Sequence, residues 1–93
     1  MNKQSRSTAM DQKIFNMGLC VETVSAYLLC CGLVDADTSI TTKNLLGIWN
    51  GSKDALLTGL YDLEKRNIIN KIISDRKDNF VYRLKDAGQW SDQ

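Results

Sequence analysis

The sequence predicts a small α+β domain in which three helices are followed by a β-hairpin. Three observations lead to this prediction. Residues 52–67 place three of their four leucines on one helical face, two further helix-like segments precede them, and two β-rich segments joined by a charged turn follow. With 93 residues and 43% apolar content, the chain can form one domain around one small core.

The third helix is the best-defined element of the sequence. Leu56, Leu60 and Leu63 recur at spacings of four and three, so they share one face, which is expected to pack on the core. Ser52 is expected to be the N-cap, since its hydroxyl can accept from a free backbone N–H of the first turn. Asn67 can adopt the left-handed conformation that ends a helix.

The first helix is predicted from Asp11 to about Gly32, with more apolar residues than one face requires. Residues off the expected stripe include Ile14 and Phe15. Either the domain buries this helix on two sides, or its surplus face packs on another copy of the chain as a homodimer. The stripe expected to face the core consists of Met17, Val21, Val24, Leu28 and Cys31, with Cys20 and Tyr27 beside it.

A second, shorter helix is predicted over the segment TTKNLLGIW, after a very short strand at Ser39-Ile40. Thr41 can cap it. Its apolar side is expected to consist of Leu45, Ile48 and Trp49.

The hairpin is predicted from a β-branched run over residues 68–74 and an alternating run over residues 80–85. The turn between them is polar and charged. Trp90 follows the hairpin and is expected to pack on the first helix. One face of the second strand consists of Phe80, Tyr82 and Leu84.

Residues 1–10 are polar, basic and without periodicity, so they are expected to form a flexible arm ahead of a domain over residues 11–93. The arm either has no binding role or contacts phosphates. The sequence has no apolar run of the roughly 18 residues that a membrane span requires, and residues 1–10 have no apolar signal-peptide core. A soluble, cytoplasmic protein is therefore expected.

The composition disfavours an enzyme, a metal site and a cofactor site. Histidine, the commonest general base and metal ligand, is absent. The sequence has no C-x-x-C spacing, no glycine-rich phosphate loop and no paired carboxylates at a recognisable site. Cys20, Cys30 and Cys31 are expected to be small core hydrophobes, rather than disulfide or redox cysteines.

Positive charge is concentrated in the second half of the chain. The formal net charge is only +1, so no whole-molecule field attracts nucleic acid. Between Ser52 and Lys85, however, eight Lys or Arg residues stand against five Asp or Glu residues, a local balance of +3. Within the third helix, Asp54 and Asp62 lie beside Lys53.

The order helix, short strand, helix, turn, helix and hairpin resembles the winged helix-turn-helix regulators of bacteria and archaea. The matching stretches, ITTKNLLGIWNGSKDALLTGLYDLEKRNII and VYRLKDAG, cover about half of the chain. They contain a threonine-capped second helix, a serine-led third helix with spaced leucines, an isoleucine opening the wing and a tyrosine-arginine-leucine ending it. Asn67 stands where the family usually has glycine, and Leu57 where many members have a polar base-reading residue.

The resemblance implies a sequence-specific regulator that binds double-stranded DNA, with helix 52–67 in the major groove and wing 74–80 on the backbone or minor groove. Thr58 can hydrogen-bond a base edge, Leu57 can contact a thymine methyl, and Lys53 can donate to guanine or phosphate. The alternative is a winged-helix protein-interaction module without direct DNA binding, which the low net charge and Leu57 favour. The residues expected at the DNA are Lys43, Ser52, Lys53, Asp54, Leu57, Thr58, Tyr61, Arg76 and Lys77.

Overall fold

The computed structural model describes residues 10–74 and 79–91, which form three α-helices and a three-stranded antiparallel sheet. This confirms the predicted α+β class. The predicted arm lies outside the described residues, except for Met10. The helices are α1 (Val21–Asp35), α2 (Thr42–Ile48) and α3 (Lys53–Lys65), the strands are β1 (Ile40–Thr41), β2 (Ile69–Ser74) and β3 (Phe80–Leu84), and short 3-10 helices span Gln12–Asn16 and Ala87–Gln89.

The sheet has the strand order β1-β3-β2. Tyr82 of the central strand pairs with Ile40 of β1 and with Lys71 of β2. The register shifts between Lys71 and Ile73, so Ile72 is an extra residue in β2, as in a β-bulge. The predicted antiparallel pairing of the two β-rich runs is thus confirmed, although the turn that joins them lies outside the described residues. The short strand before the second helix is Ile40–Thr41, one residue later than the predicted Ser39-Ile40.

The prediction of one continuous helix from Asp11 to Gly32 is wrong, because the chain turns before Val21. Residues Gln12–Asn16 form a separate 3-10 helix, which the Asp11 carboxylate caps by accepting a hydrogen bond from the Lys13 N–H at 2.9 Å. Gly18 then has a φ of +69°, a left-handed conformation that glycine adopts without steric penalty. The turn brings Ile14, expected off the core stripe, into the core, where it is fully buried.

α1 also buries a different face from the predicted one. Val21 is 76% exposed and Leu28 is 37% exposed, although both belong to the predicted stripe. The prediction failed because α1 is apolar on nearly all sides, so more than one face fits the helical spacing. The residues that α1 does bury are Thr23, Ala26, Tyr27, Cys30 and Cys31.

α3 supplies the centre of the core, as predicted. Leu56, Leu60 and Leu63 are each at most 1% exposed. Gly59 lies where α3 meets α1: a Cβ at this position would come within 3.0 Å of the Glu22 carbonyl oxygen. The missing side chain therefore permits the close approach of the two helices.

α2 begins as predicted and packs less fully than predicted. The Thr41 hydroxyl accepts a hydrogen bond from the Asn44 N–H at 2.9 Å, so Thr41 caps the helix. Leu45 is fully buried. Ile48, expected on the apolar side, is 50% exposed, and Trp49 is half-buried.

Trp90 packs on the first helix, as predicted. Its ring meets the Tyr27 ring edge-to-face, with centroids 5.5 Å apart and an interplanar angle of 83°. Its indole N–H donates to the Lys85 carbonyl oxygen at 3.0 Å. The Lys13 ammonium lies 5.8 Å from the ring centroid, within the range of a cation–π contact. The C-terminal segment thereby closes one side of α1.

Candidate nucleic-acid interface

Both ends of α3 are fixed by side chains that the sequence identified. The Ser52 hydroxyl accepts a hydrogen bond from the Ala55 N–H at 3.1 Å, and the Ser52 carbonyl oxygen accepts one from the Trp49 indole at 2.9 Å. At the other end, Asn67 has a φ of +62° and donates from Nδ2 to the Gln89 carbonyl oxygen at 2.8 Å. These hydrogen bonds therefore determine where α3 begins and where it ends.

The face of α3 opposite the buried leucines points to solvent. We define the α3 outer face as Lys53, Asp54, Thr58, Tyr61 and Lys65, all of which are exposed. Tyr61 is 67% exposed, an unusual amount for a tyrosine on a structural helix. None of the described residues forms a hydrogen bond or an ion pair with these five side chains. Their polar groups are therefore available to a ligand.

Two residues predicted to contact DNA also serve the fold. Ser52 uses one lone pair of its hydroxyl as the N-cap of α3, which leaves its O–H donor and its second lone pair for a ligand. Leu57 is half-buried and packs against the core, so only part of its side chain reaches the surface. Arg76 and Lys77, the predicted wing contacts, lie outside the described residues.

Lys43 lies where the start of α2 meets the base of the hairpin. Its backbone N–H donates to Asn79 Oδ1 at 3.0 Å, and the Phe80 N–H donates to the Thr42 hydroxyl at 3.1 Å. Thr42 is buried, whereas the Lys43 side chain is exposed. The hairpin base and the first turn of α2 are therefore joined directly.

Asp62 does not belong to the α3 outer face, although the sequence places it beside Lys53. Its Oδ1 accepts a hydrogen bond from Arg66 Nε at 2.9 Å, and its Oδ2 accepts one from the Thr23 hydroxyl at 3.1 Å. Its charge is thus paired with Arg66 and used to join α3 to α1. Asp54 is the acidic residue that remains on the outer face, against Lys53 and Lys65.

Lys71 of β2 is partly neutralised within the fold. Its ammonium lies 3.9 Å from the Glu64 carboxylate and 4.0 Å from the centroid of the Phe80 ring. Such a half-exposed ion pair contributes little to stability, but the Glu64 carboxylate offsets the positive charge of Lys71. The positive charge that the described residues offer near α3 therefore comes chiefly from lysines of the helix itself.

A cleft of about 520 Å³ lies between α3 and the N-terminus of α1. Thr58 and Tyr61 border it on the α3 side, and Cys20 and Glu22 border it on the α1 side. No local sequence pattern indicates this cleft, because its position depends on how closely the two helices approach at Gly59.

Two of the three cysteines are core residues, as predicted. Burial raises the pKa of Cys30 to about 12 and the pKa of Cys31 to about 11, so both thiols stay protonated at neutral pH. The prediction is wrong for Cys20, which is exposed at the start of α1. All three are free thiols.

Within residues 10–74 and 79–91, no group of three or more cysteine or carboxylate side chains is placed to hold a metal ion. No α-helix of the described part combines the length and the apolar character needed to cross a membrane. Comparison of the chain with protein-family models, with curated proteins and with solved structures gives no match.

Proposed function

We propose that this protein is a winged helix-turn-helix regulator that binds double-stranded DNA by placing α3 in the major groove. The observation that carries the proposal is the α3 outer face. A helix of 13 residues, fixed at both ends, presents Lys53, Thr58 and Tyr61 to solvent without partners among the described residues. The major groove of B-DNA is wide enough to admit such a helix.

The order and spacing of the elements support the winged-helix description. Residues 49–52 separate α2 from α3, and helix-turn-helix units typically have a turn of three or four residues that often contains glycine. Gly51 occupies this turn, where a Cβ would lie 3.0 Å from the Trp49 indole nitrogen. The hairpin follows α3 directly, and its base is bonded to α2.

The side chains of the α3 outer face suit a division between base and phosphate contacts. The Thr58 hydroxyl can donate to or accept from a base edge at the middle of the helix. Lys53, near the N-terminus of α3, can donate to guanine or to phosphate, and Lys65 can contact phosphate. Lys43, on α2, adds a phosphate contact from the preceding helix.

A protein-interaction module is the second candidate, and a specific observation favours it. Tyr61 exposes most of its ring close to the partly exposed Leu57, and Asp54 adds an acidic group that repels phosphate. Exposed tyrosine is common at the centre of protein interfaces. In this alternative the same α3 outer face binds a protein, and no duplex sequence is preferred.

Selection from a pool of randomised DNA duplexes, followed by sequencing, tests the proposal. We expect the wild-type protein to enrich a defined motif. Thr58→Ala should then reduce the preference for that motif over a scrambled duplex by about 1–3 kcal/mol, because a base contact is lost. Lys43→Gln should instead weaken binding to both duplexes alike, because a phosphate contact carries no sequence information.

Thr58→Ser is the matched control, since it keeps the hydroxyl and should retain the preference. Alanine is a better helix former than threonine, so Thr58→Ala is not expected to destabilise α3. An unenriched pool would contradict the DNA proposal and favour the protein-interaction module. Equal preference in wild type and Thr58→Ala would remove Thr58 from the base contacts.

A further inference from the structure

The first turn of α3 carries an acidic side chain that the fold leaves unpaired. Asp54 is exposed, and none of the described residues forms a hydrogen bond or an ion pair with it. Lys53 precedes it directly, but adjacent residues of a helix do not face each other. Lys65 lies eleven residues further along α3, about 16 Å away along the helix axis. The Asp54 carboxylate is therefore paired with neither lysine of the α3 outer face.

Asp54 lies in the part of α3 where base contacts are expected. Asp54, Thr58 and Tyr61 follow one another at spacings of four and three, so they form one line along the α3 outer face. In helix-turn-helix complexes the N-terminal residues of the recognition helix contact the base edges. If α3 occupies the major groove as proposed, Asp54 faces base edges one turn ahead of Thr58.

A carboxylate in this position is unfavourable for DNA binding in general. It repels phosphates, so it weakens binding to every duplex, whatever the sequence. An acid in the first turn also complements the helix dipole, but that effect does not depend on which side of the helix the acid occupies. The position of Asp54 on the outer side is explained if the carboxylate contributes to the choice of base.

The four bases differ in what their major-groove edges offer to a carboxylate, which can only accept hydrogen bonds. Guanine presents two acceptors, N7 and O6, and thymine presents the acceptor O4. Adenine has a donor at N6 but an acceptor beside it at N7. Cytosine presents the N4 amino group as a donor and no acceptor. Cytosine is therefore the base that a carboxylate at the groove edge selects.

We infer that Asp54 accepts a hydrogen bond from the N4 amino group of a cytosine, and that the preferred duplex motif contains this cytosine at a fixed position. The inference rests on the proposed function, since it requires α3 in the major groove. Guanine and thymine are rejected at this position because their acceptors repel the carboxylate. Asp54 thus contributes to specificity chiefly by excluding wrong bases, at the expense of affinity.

Selection from randomised duplexes, carried out in parallel with wild type and Asp54→Asn, tests the inference. Asparagine has nearly the shape of aspartate, but its amide can pair with both N6 and N7 of adenine. We expect one position of the motif to change from cytosine to adenine in Asp54→Asn, while the other positions stay the same. Asp54→Ala is expected to accept any base at that position and to keep the rest of the motif.

Affinities for two labelled duplexes that differ only at this base pair give the size of the effect. We expect the wild type to prefer the cytosine duplex over the adenine duplex at least about tenfold, which corresponds to about 1.4 kcal/mol. Asp54→Asn should lose or reverse this preference. It should also bind a scrambled duplex more tightly than the wild type does, because one negative charge near the phosphates is removed.

Glu22→Gln is the matched control. Glu22 is also an exposed acid in the first turn of a helix, and it borders the same cleft as Asp54, but it lies on α1. The substitution removes the same charge and the same complement to a helix dipole. We expect Glu22→Gln to enrich the wild-type motif with its cytosine retained.

The outcomes separate this inference from the proposed function. A wild-type motif made of A·T pairs alone, or one that keeps every cytosine in Asp54→Asn, would overturn the role of Asp54 and leave DNA binding in place. Loss of the whole motif in both Asp54 variants would do the same, because it indicates a structural role. A wild type that enriches no motif would overturn the proposed function, and the inference with it.

Discussion

Replacing Leu63 with alanine is expected to lower the free energy of unfolding by about 2–5 kcal/mol, and Leu60→Ala by a similar amount. Both side chains are fully buried on the face of α3 that packs on the rest of the core. Truncation removes apolar contacts and leaves a cavity that the neighbouring helices can only partly fill. Urea denaturation followed by circular dichroism measures the loss.

Leu46→Ala is the matched control, because Leu46 is a leucine on α2 with an exposed side chain. We expect this control to lose less than half as much, because 36% of Leu46 is already exposed and its truncation leaves no closed cavity. If Leu60→Ala and Leu63→Ala lose as little as Leu46→Ala, the orientation of α3 described above is wrong, and the α3 outer face would be wrong with it.

Trp90→Ala is expected to be at least as destabilising, with a loss of about 3–5 kcal/mol. The substitution removes the edge-to-face contact with Tyr27 and the hydrogen bond to the Lys85 carbonyl oxygen. It also uncovers the side of α1 that the C-terminal segment closes. Thermal and urea denaturation can both measure this loss.

Trp90→Phe separates the contributions of the ring contact and the hydrogen bond. Phenylalanine keeps an aromatic ring against Tyr27 but cannot donate to the Lys85 carbonyl oxygen. We therefore expect Trp90→Phe to be more stable than Trp90→Ala and less stable than the wild type. Equal stability of all three proteins would show that the C-terminal segment does not pack on α1 as described.

The sequence was sufficient to predict α3, because every local signal indicated the same helix. The Ser52 cap, the spacing of the leucines and the left-handed Asn67 all indicate the same helix, and the structure confirms each of them. Such agreement between capping, periodicity and turn chemistry is what makes a segment readable without tertiary information.

The sequence was insufficient for the first helix, for two physical reasons. A left-handed turn at Gly18 divides the predicted segment. The sequence alone does not show whether an isolated glycine within a helical pattern has a helical or a left-handed φ. Beyond the turn, α1 has apolar residues on both sides, so periodicity alone could not choose between the faces containing Val21 and Ala26. Packing against Gly59 of α3 decides between them.

The candidate site was predictable only where it depends on one helix. The exposure of Lys53, Thr58 and Tyr61 follows from the position of the buried leucines on α3. The pairing of Asp62 with Arg66 and Thr23 depends on the contact between α3 and α1, which no local pattern specifies. The prediction from the sequence therefore placed one carboxylate too many, that of Asp62, on the α3 outer face.

The most direct test of DNA binding is the affinity of the wild-type protein for a labelled duplex, measured by fluorescence anisotropy over a series of salt concentrations. We expect micromolar or tighter binding whose logarithm falls linearly with the logarithm of salt concentration, because bound lysines release counterions from phosphates. Lys43→Gln and Lys65→Gln should each reduce the slope by about 1. No binding at micromolar protein, or binding that is independent of salt, would contradict the proposal that α3 occupies the major groove.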